Sequence, residues 1–147
     1  MTNLPPDIAA AIDARHVAMR AAALDRDIAA YADCLAETVE YVRVDGSIGD
    51  RAAMLREAEA QFGTMASFDA TTVRTAGSFD GEVVRETLRQ DAEVAVVAFG
   101  FVRRRWRMER RQDYEWIRED GSWRVRRAAL TLLNTTHAGW GWGRVGR

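Results

Sequence analysis

The sequence has one cysteine, two prolines, two histidines and no lysine, since all 21 of its basic side chains are arginine. A single thiol, Cys34, excludes an internal disulfide framework and any cysteine-rich zinc site. The histidines, His16 and His137, lie far apart with no acid at a ligand spacing, so no metal site is expected. Both prolines sit at the amino end, where they can open a helix. No stretch of about 20 consecutive apolar residues occurs. The first residues lack the basic-then-apolar order of a secretory leader. A cytoplasmic protein without membrane contact is therefore expected. Glycine-rich nucleotide fingerprints, phosphate loops and the Gly-x-Ser-x-Gly elbow are also missing, which leaves a nucleotide cofactor or a hydrolase nucleophile without support. No cofactor is expected.

What is present is an ordinary globular composition: 147 residues, net charge -1, 48% hydrophobic and 29% charged. A domain of this size buries roughly 68–70% of its unfolded surface and needs no staple. The exclusive use of arginine either favours bidentate recognition of carboxylate or phosphate or reflects codon usage alone.

The hydrophobic period is helical first and strand-like later. Ile8, Ile12 and Met19 among many alanines predict a long helix over Pro6–Leu24. Asp27 is a candidate N-cap for a short second helix through Ile28, Tyr31 and Leu35. Val39–Val44 is β-branched and aromatic and ends at an Asp45-Gly46 turn. A third helix starts near Asp50, carries Met54, Leu55, Ala58 and Phe62, and stops near Gly63. Strands are expected over 68–76, 82–89, 93–102, 107–118 and 122–133, with turns at Gly77, Gly81, Gln90–Ala92 and Asp120-Gly121. Helices followed by hairpin-linked strands give an α+β domain with a curved antiparallel sheet. Residues 1–133 are assigned to that domain. Residues 134–147 read as a Gly/Trp-rich tail whose tryptophans dock on a partner or across a cavity mouth.

Three stretches resemble a known superfamily. Asp27-Ile-Ala-Ala-Tyr-Ala-Asp-Cys-Leu-Ala-Glu is similar to the short second helix of nuclear-transport-factor-two-like proteins. Val39-Glu-Tyr-Val-Arg-Val-Asp-Gly-Ser-Ile-Gly-Asp resembles their first strand, turn and helix start, and Tyr114-Glu-Trp-Ile-Arg-Glu-Asp-Gly-Ser-Trp-Arg-Val their closing hairpin. The nearest likeness is to SnoaL-like and small bacterial members. The resemblance implies a cystatin-like cone, a sheet wrapped around the first helix with an internal pocket, and a homodimer. Because the superfamily includes isomerases, cyclases, dehydratases, epoxide hydrolases and pure binding modules, fold does not select among functions.

Set against the ketosteroid isomerase pattern, Met19 falls where that family has a tyrosine, Arg43 where it has its general base, and Asp113 where it has its oxyanion acid. Two of the three groups are missing, which disfavours that mechanism. If both registers hold, Arg43 and Asp113 face the pocket together; an arginine there keeps the aspartate ionised. The pair then serves as base plus orienting cation, Arg43 clamps a substrate carboxylate or enolate, or the two form a purely structural ion pair. A first-strand register shifted by two places Tyr41 where Arg43 is expected. Tyr31 and Tyr41 are candidate hydroxyl donors. His16, three residues before Met19 on the first helix, is a candidate proton-transfer group. An inward Arg126 would make the pocket cationic and favour an anionic ligand.

The run Arg103–Arg111 is the most distinctive local composition. Alternation splits it between two faces, and acids follow it in an overall slightly acidic chain, so nucleic-acid binding is not expected. Three readings stay open. One is a cofactor-independent isomerase, cyclase or dehydratase acting on a carbonyl compound through Asp113, Arg43 and Tyr41. The second is a binder of a small apolar or anionic molecule, lined by Tyr31, Met19, His16 and Arg126. The third is a dimeric assembly module using Trp106 and Trp116 on an outer sheet face.

Overall fold

A computed structural model describes residues 3–98 and 102–142, without side-chain detail for 64–68, 98, 103 and 138–142. Helix α1 (Pro6–Leu24) starts with proline at its first position and buries Ile8, Ile12, Met19 and Ala22 along one stripe. Helix α2 (Ile28–Asp33) is capped as expected: the Asp27 carboxylate accepts from the Ala30 N–H at 3.1 Å. Strands β1 (Leu35–Val42) and β2 (Ile48–Gly49) flank a turn with Gly46 at φ +86. Helix α3 (Arg51–Thr64) follows, then four long strands: β3 (Met65–Phe79), β4 (Val84–Ala98), β5 (Val102–Glu119) and β6 (Ser122–Trp142).

The six strands form one curved, open sheet in the order β2-β1-β6-β5-β4-β3. Every pairing is antiparallel except β1 with β6, which is parallel. The expected all-antiparallel sheet is corrected at this one seam. Helix α3 and four strands separate β1 from β6 in the chain, and a connection that long permits either direction. Bulges in the β3–β4 and β5–β6 ladders bend the sheet around the helices. The β5–β6 hairpin closes on Asp120 (φ 51) and Gly121 (φ 78), the two left-handed residues that an Asp-Gly turn needs to match the strand twist.

Ile8, Ile12 and Met19 from α1 meet Leu35, Val39, Val84, Trp116, Trp123 and Val125 from the sheet. Cys34 joins this core as a small buried side chain. Fully burying a side chain such as Ile12 or Val125 stabilises the fold by about 1.5–3 kcal/mol.

Three expectations about the strands fail, the first being the turn at Gly77, which lies inside β3 and pairs with Glu86. The turn expected at Gln90–Ala92 does not form: β4 runs straight through, in register with β3 and β5 on both sides. Gln90 and Ala92 are buried there, so residues that read as polar punctuation are interior positions of a central strand. The segment after Leu133 also departs from a free tail, because β6 continues to Trp142 and pairs with β5 as far as Val102. Residues 143–147 and the side chains of Trp140 and Trp142, with the docking expected of them, lie outside the described residues.

Candidate functional site

Alternation along the central strands sorts their side chains onto two faces. Val84, Glu86, Leu88 and Gln90 of β4 stand opposite Trp116, Tyr114, Gln112 and Arg110 of β5, and all face the helices. Helices α1 and α3 stand off this concave surface and leave a cavity of about 640 Å³, a size suited to a small organic molecule. Its wall includes His16 and Met19 of α1, Tyr31 of α2, Tyr41 of β1, Phe62 of α3, and Arg110 and Tyr114 of β5.

The polar centre of the site is Glu86. Its side chain is fully buried, 0% exposed, and one oxygen lies 2.5 Å from His16 Nε2 and accepts the Trp116 indole N–H at 3.0 Å. The other oxygen accepts Arg74 Nε at 2.9 Å, and Arg74 donates also to Asp13 at 2.6 Å. Burial alone raises a carboxyl pKa, but hydrogen bonds and charge from His16 and Arg74 outweigh it, and the Glu86 pKa falls below its usual value. The buried carboxylate is thus ionised and fully bonded. The His16 ring is wedged edge-on between Tyr114 at 5.1 Å and Trp116 at 5.0 Å. With Nε2 turned to Glu86, Nδ1 is the second ring nitrogen of His16.

Three tyrosines supply hydroxyls. Burial is the largest cause in each case: it pushes the Tyr31 pKa up to about 12 and raises those of Tyr41 and Tyr114. All three are neutral donors at any physiological pH. Further along the same wall, Arg110 donates to the Gln90 amide oxygen through Nε at 2.7 Å and also through Nη2. Gln90 in turn donates to Thr72 at 3.1 Å.

The residues singled out in the sequence are divided by the fold. His16, Met19, Tyr31 and Tyr41 line the cavity together. Arg43 and Asp113 do not meet. Arg43 folds over Gly49 and forms a two-pronged pair with Glu57, at 2.7 and 3.1 Å. Asp113 faces the convex side, where it accepts from Thr87 at 2.6 Å and pairs with Arg111. The count that placed Asp113 inward is off by one, and in a strand one residue exchanges the faces; Gln112 and Tyr114 hold the inward positions. Arg126 also departs from the cavity and pairs with Glu115 at 3.0 Å on the convex side. The reason is a bulge: Glu115 pairs with Arg127 but Trp116 with Val125, so Arg126 is the extra residue and both arginines turn outward. Trp116, expected on an outer face, is 0% exposed and belongs to the core.

The sequence reading missed Glu86, Arg74, Asp13, Gln90 and Arg110 as site residues. A signal for Glu86 was present, since it falls between Val84 and Leu88 on the apolar phase of a strand, and a carboxylate there must be paired. Arg74 and Asp13 carried no such mark. Among the described residues, no three His, Cys, Asp or Glu side chains converge as a metal site, and no helix is long and apolar enough to cross a membrane.

No protein-family model matches the chain, and no curated protein matches it in sequence. Its backbone matches a scytalone dehydratase-like protein from Novosphingobium aromaticivorans, with TM-score 0.76 and 15% identity over 93% of this chain and 92% of that one. It also matches a hexachlorocyclohexane dehydrochlorinase, LinA type 2, with TM-score 0.74 and 13% identity over 88% of each chain. A cystatin-like domain of unknown function from Nostoc punctiforme gives TM-score 0.64 and 14% identity, over 87% of this chain and 78% of that one. The chain therefore shares the cystatin-like α+β fold of these structures.

Proposed function

We propose that the chain takes a small, mostly apolar carbonyl compound into this cavity and moves a proton on it without a cofactor, using His16 as the base. The observation that carries the reading is the His16–Glu86 pair: an imidazole on a cavity wall, held at 2.5 Å by a fully buried carboxylate. A carboxylate behind an imidazole fixes its tautomer and orientation, and stabilises the imidazolium once it has formed. In the forward step Nδ1 removes a proton from a carbon next to the carbonyl, and the C–H electron pair moves into an enolate. The developing oxyanion is met by neutral tyrosine hydroxyls, with Tyr31, Tyr41 and Tyr114 all on the cavity wall. His16 then returns the proton to another carbon, giving isomerisation, or to a departing hydroxyl, giving dehydration. Arg74 and Asp13 hold Glu86 and the charge around it in place.

Two of the structural neighbours are named for eliminations, a dehydrochlorinase and a dehydratase-like protein. Those names support the reaction class without transferring a substrate. The test is to find a carbonyl ligand by thermal shift, then follow uptake of solvent deuterium at its α-carbon by wild type and His16→Gln. A glutamine can keep the hydrogen bond to Glu86 but cannot accept the proton, so exchange should fall by roughly 10²–10⁴ while the melting shift persists. Exchange at the wild-type rate in His16→Gln would overturn the catalytic reading. Binding with no exchange by either protein would favour the same pocket as a plain ligand carrier.

A further inference from the structure

We infer that Trp116 is a positioning residue for proton transfer by His16, because its indole N–H holds the carboxylate oxygen that His16 shares. The inference rests on the reading of His16 as the base and names what keeps its buried partner aimed.

Glu86 extends from β4 on a side chain whose last torsion is intrinsically loose, since rotation of a carboxylate about the Cγ–Cδ bond is broad and roughly two-fold. Its orientation must come from its partners, and the flanking strands supply one for each oxygen. Arg74 of β3 donates to Oε2 at 2.9 Å. Trp116 of β5 donates to Oε1 at 3.0 Å. With the arginine alone the group could pivot about that one contact. With both, the carboxylate is fixed from the two sides of β4.

His16 meets Glu86 at Oε1, the oxygen that Trp116 also holds. A carboxylate oxygen has two lone pairs and can serve both rings. Trp116 pairs with Val84, two residues before Glu86 on the same face of β4, and its indole spans that diagonal. The indole also packs edge-on against the His16 ring, with centroids 5.0 Å apart. Trp116 thus holds the imidazole twice, through the shared oxygen and by ring contact.

Trp116 is 0% exposed and presents no surface to a bound molecule. Its N–H therefore acts on the reaction only through Glu86 and His16. As His16 takes up a proton, its contact with Oε1 becomes an ion pair, and a carboxylate already held in place stabilises that charge without reorganising. Loss of the N–H should slow the transfer without weakening binding.

The test follows uptake of solvent deuterium at the α-carbon of 2-indanone and phenylacetone. It compares wild type, Trp116→Phe, and a protein carrying benzothienylalanine at position 116, which keeps the bicyclic shape and has sulfur in place of the N–H. In both altered proteins kcat should fall about 10- to 100-fold, with KM within about twofold of wild type. Trp123→Phe is the control, because Trp123 sits in the same core against Phe79 and Arg118. It should exchange at the wild-type rate. A benzothienylalanine protein that exchanges like wild type would overturn the role of the N–H and leave His16 standing as the base. A rise in KM with kcat unchanged, or an equal loss in Trp123→Phe, would assign the effect to general packing and overturn the role as well. No exchange of either ketone by wild type would overturn both the inference and the reading it rests on.

Discussion

The two faces of the β4–β5 hairpin use the same residue types and treat them differently. On the concave face Glu86 is 0% exposed and answers three donors, from His16, Arg74 and Trp116. On the convex face Arg85, Thr87, Arg89 and Asp91 stand opposite Glu115, Asp113, Arg111 and Glu109 in open ladders of ion pairs, joined by Arg126 on β6. A charge in water gains little from a partner, whereas a buried charge loses its hydration and depends on partners for all of its compensation. Carboxylates on this sheet therefore range from expendable to indispensable according to the phase of the strand.

The largest expected effect follows from removing the buried member. Glu86→Ala leaves Arg74, His16 and the Trp116 indole without their shared acceptor and should cost about 3–5 kcal/mol in denaturant unfolding. A loss below about 1 kcal/mol would break the contrast between the faces.

Acid titration sharpens it next. The folded pKa of Glu86 lies below its ordinary value of 4.5. Its contribution is therefore fully present above about pH 4.5 and is lost as pH falls through the lower folded value. Melting temperature followed from about pH 6 to pH 3 should drop in wild type. In Glu86→Gln that component should be missing, so the two curves converge in acid. Parallel curves would mean that the carboxylate is not held ionised by the fold.

The smallest effect belongs to the convex face. Asp113→Ala removes a carboxylate bonded to Thr87 and Arg111, and should change stability by no more than about 1 kcal/mol. Proton exchange on a bound ligand should be untouched. A large loss of exchange in Asp113→Ala would return that residue to the site and contradict the face assignment.

Much of the fold is legible from local pattern. The Ala-rich stripe of α1, the Asp27 cap, the Asp120-Gly121 hairpin and the helices-then-strands order all follow from propensity and period. The cone and the pocket positions expected for His16, Met19, Tyr31 and Tyr41 come from the resemblance of three stretches and not from local pattern; all four residues line the cavity. The errors are errors of phase. The Arg126 bulge and the one-residue slip at Asp113 each exchange inside for outside, and a strand pattern of alternating Arg, Glu and Asp offers no apolar face to fix its register. At Gln90–Ala92 the same cause reads a buried strand centre as a turn.

Composition and periodicity by themselves determined that this chain folds as one α+β domain, with a long apolar helix against a strand-rich second half. Both are local properties, set by backbone preferences and the spacing of apolar residues along a few turns or one hairpin. Only the tertiary structure decided that Glu86 and not Asp113 is the interior carboxylate, and that His16 and Arg74 converge on it, with Asp13 behind Arg74. His16 and Glu86 are 70 residues apart in sequence, and their meeting depends on how α1 crosses the bent sheet. No local preference encodes that crossing; it is set by packing Ile8, Ile12 and Met19 against Val84, Trp116 and Val125.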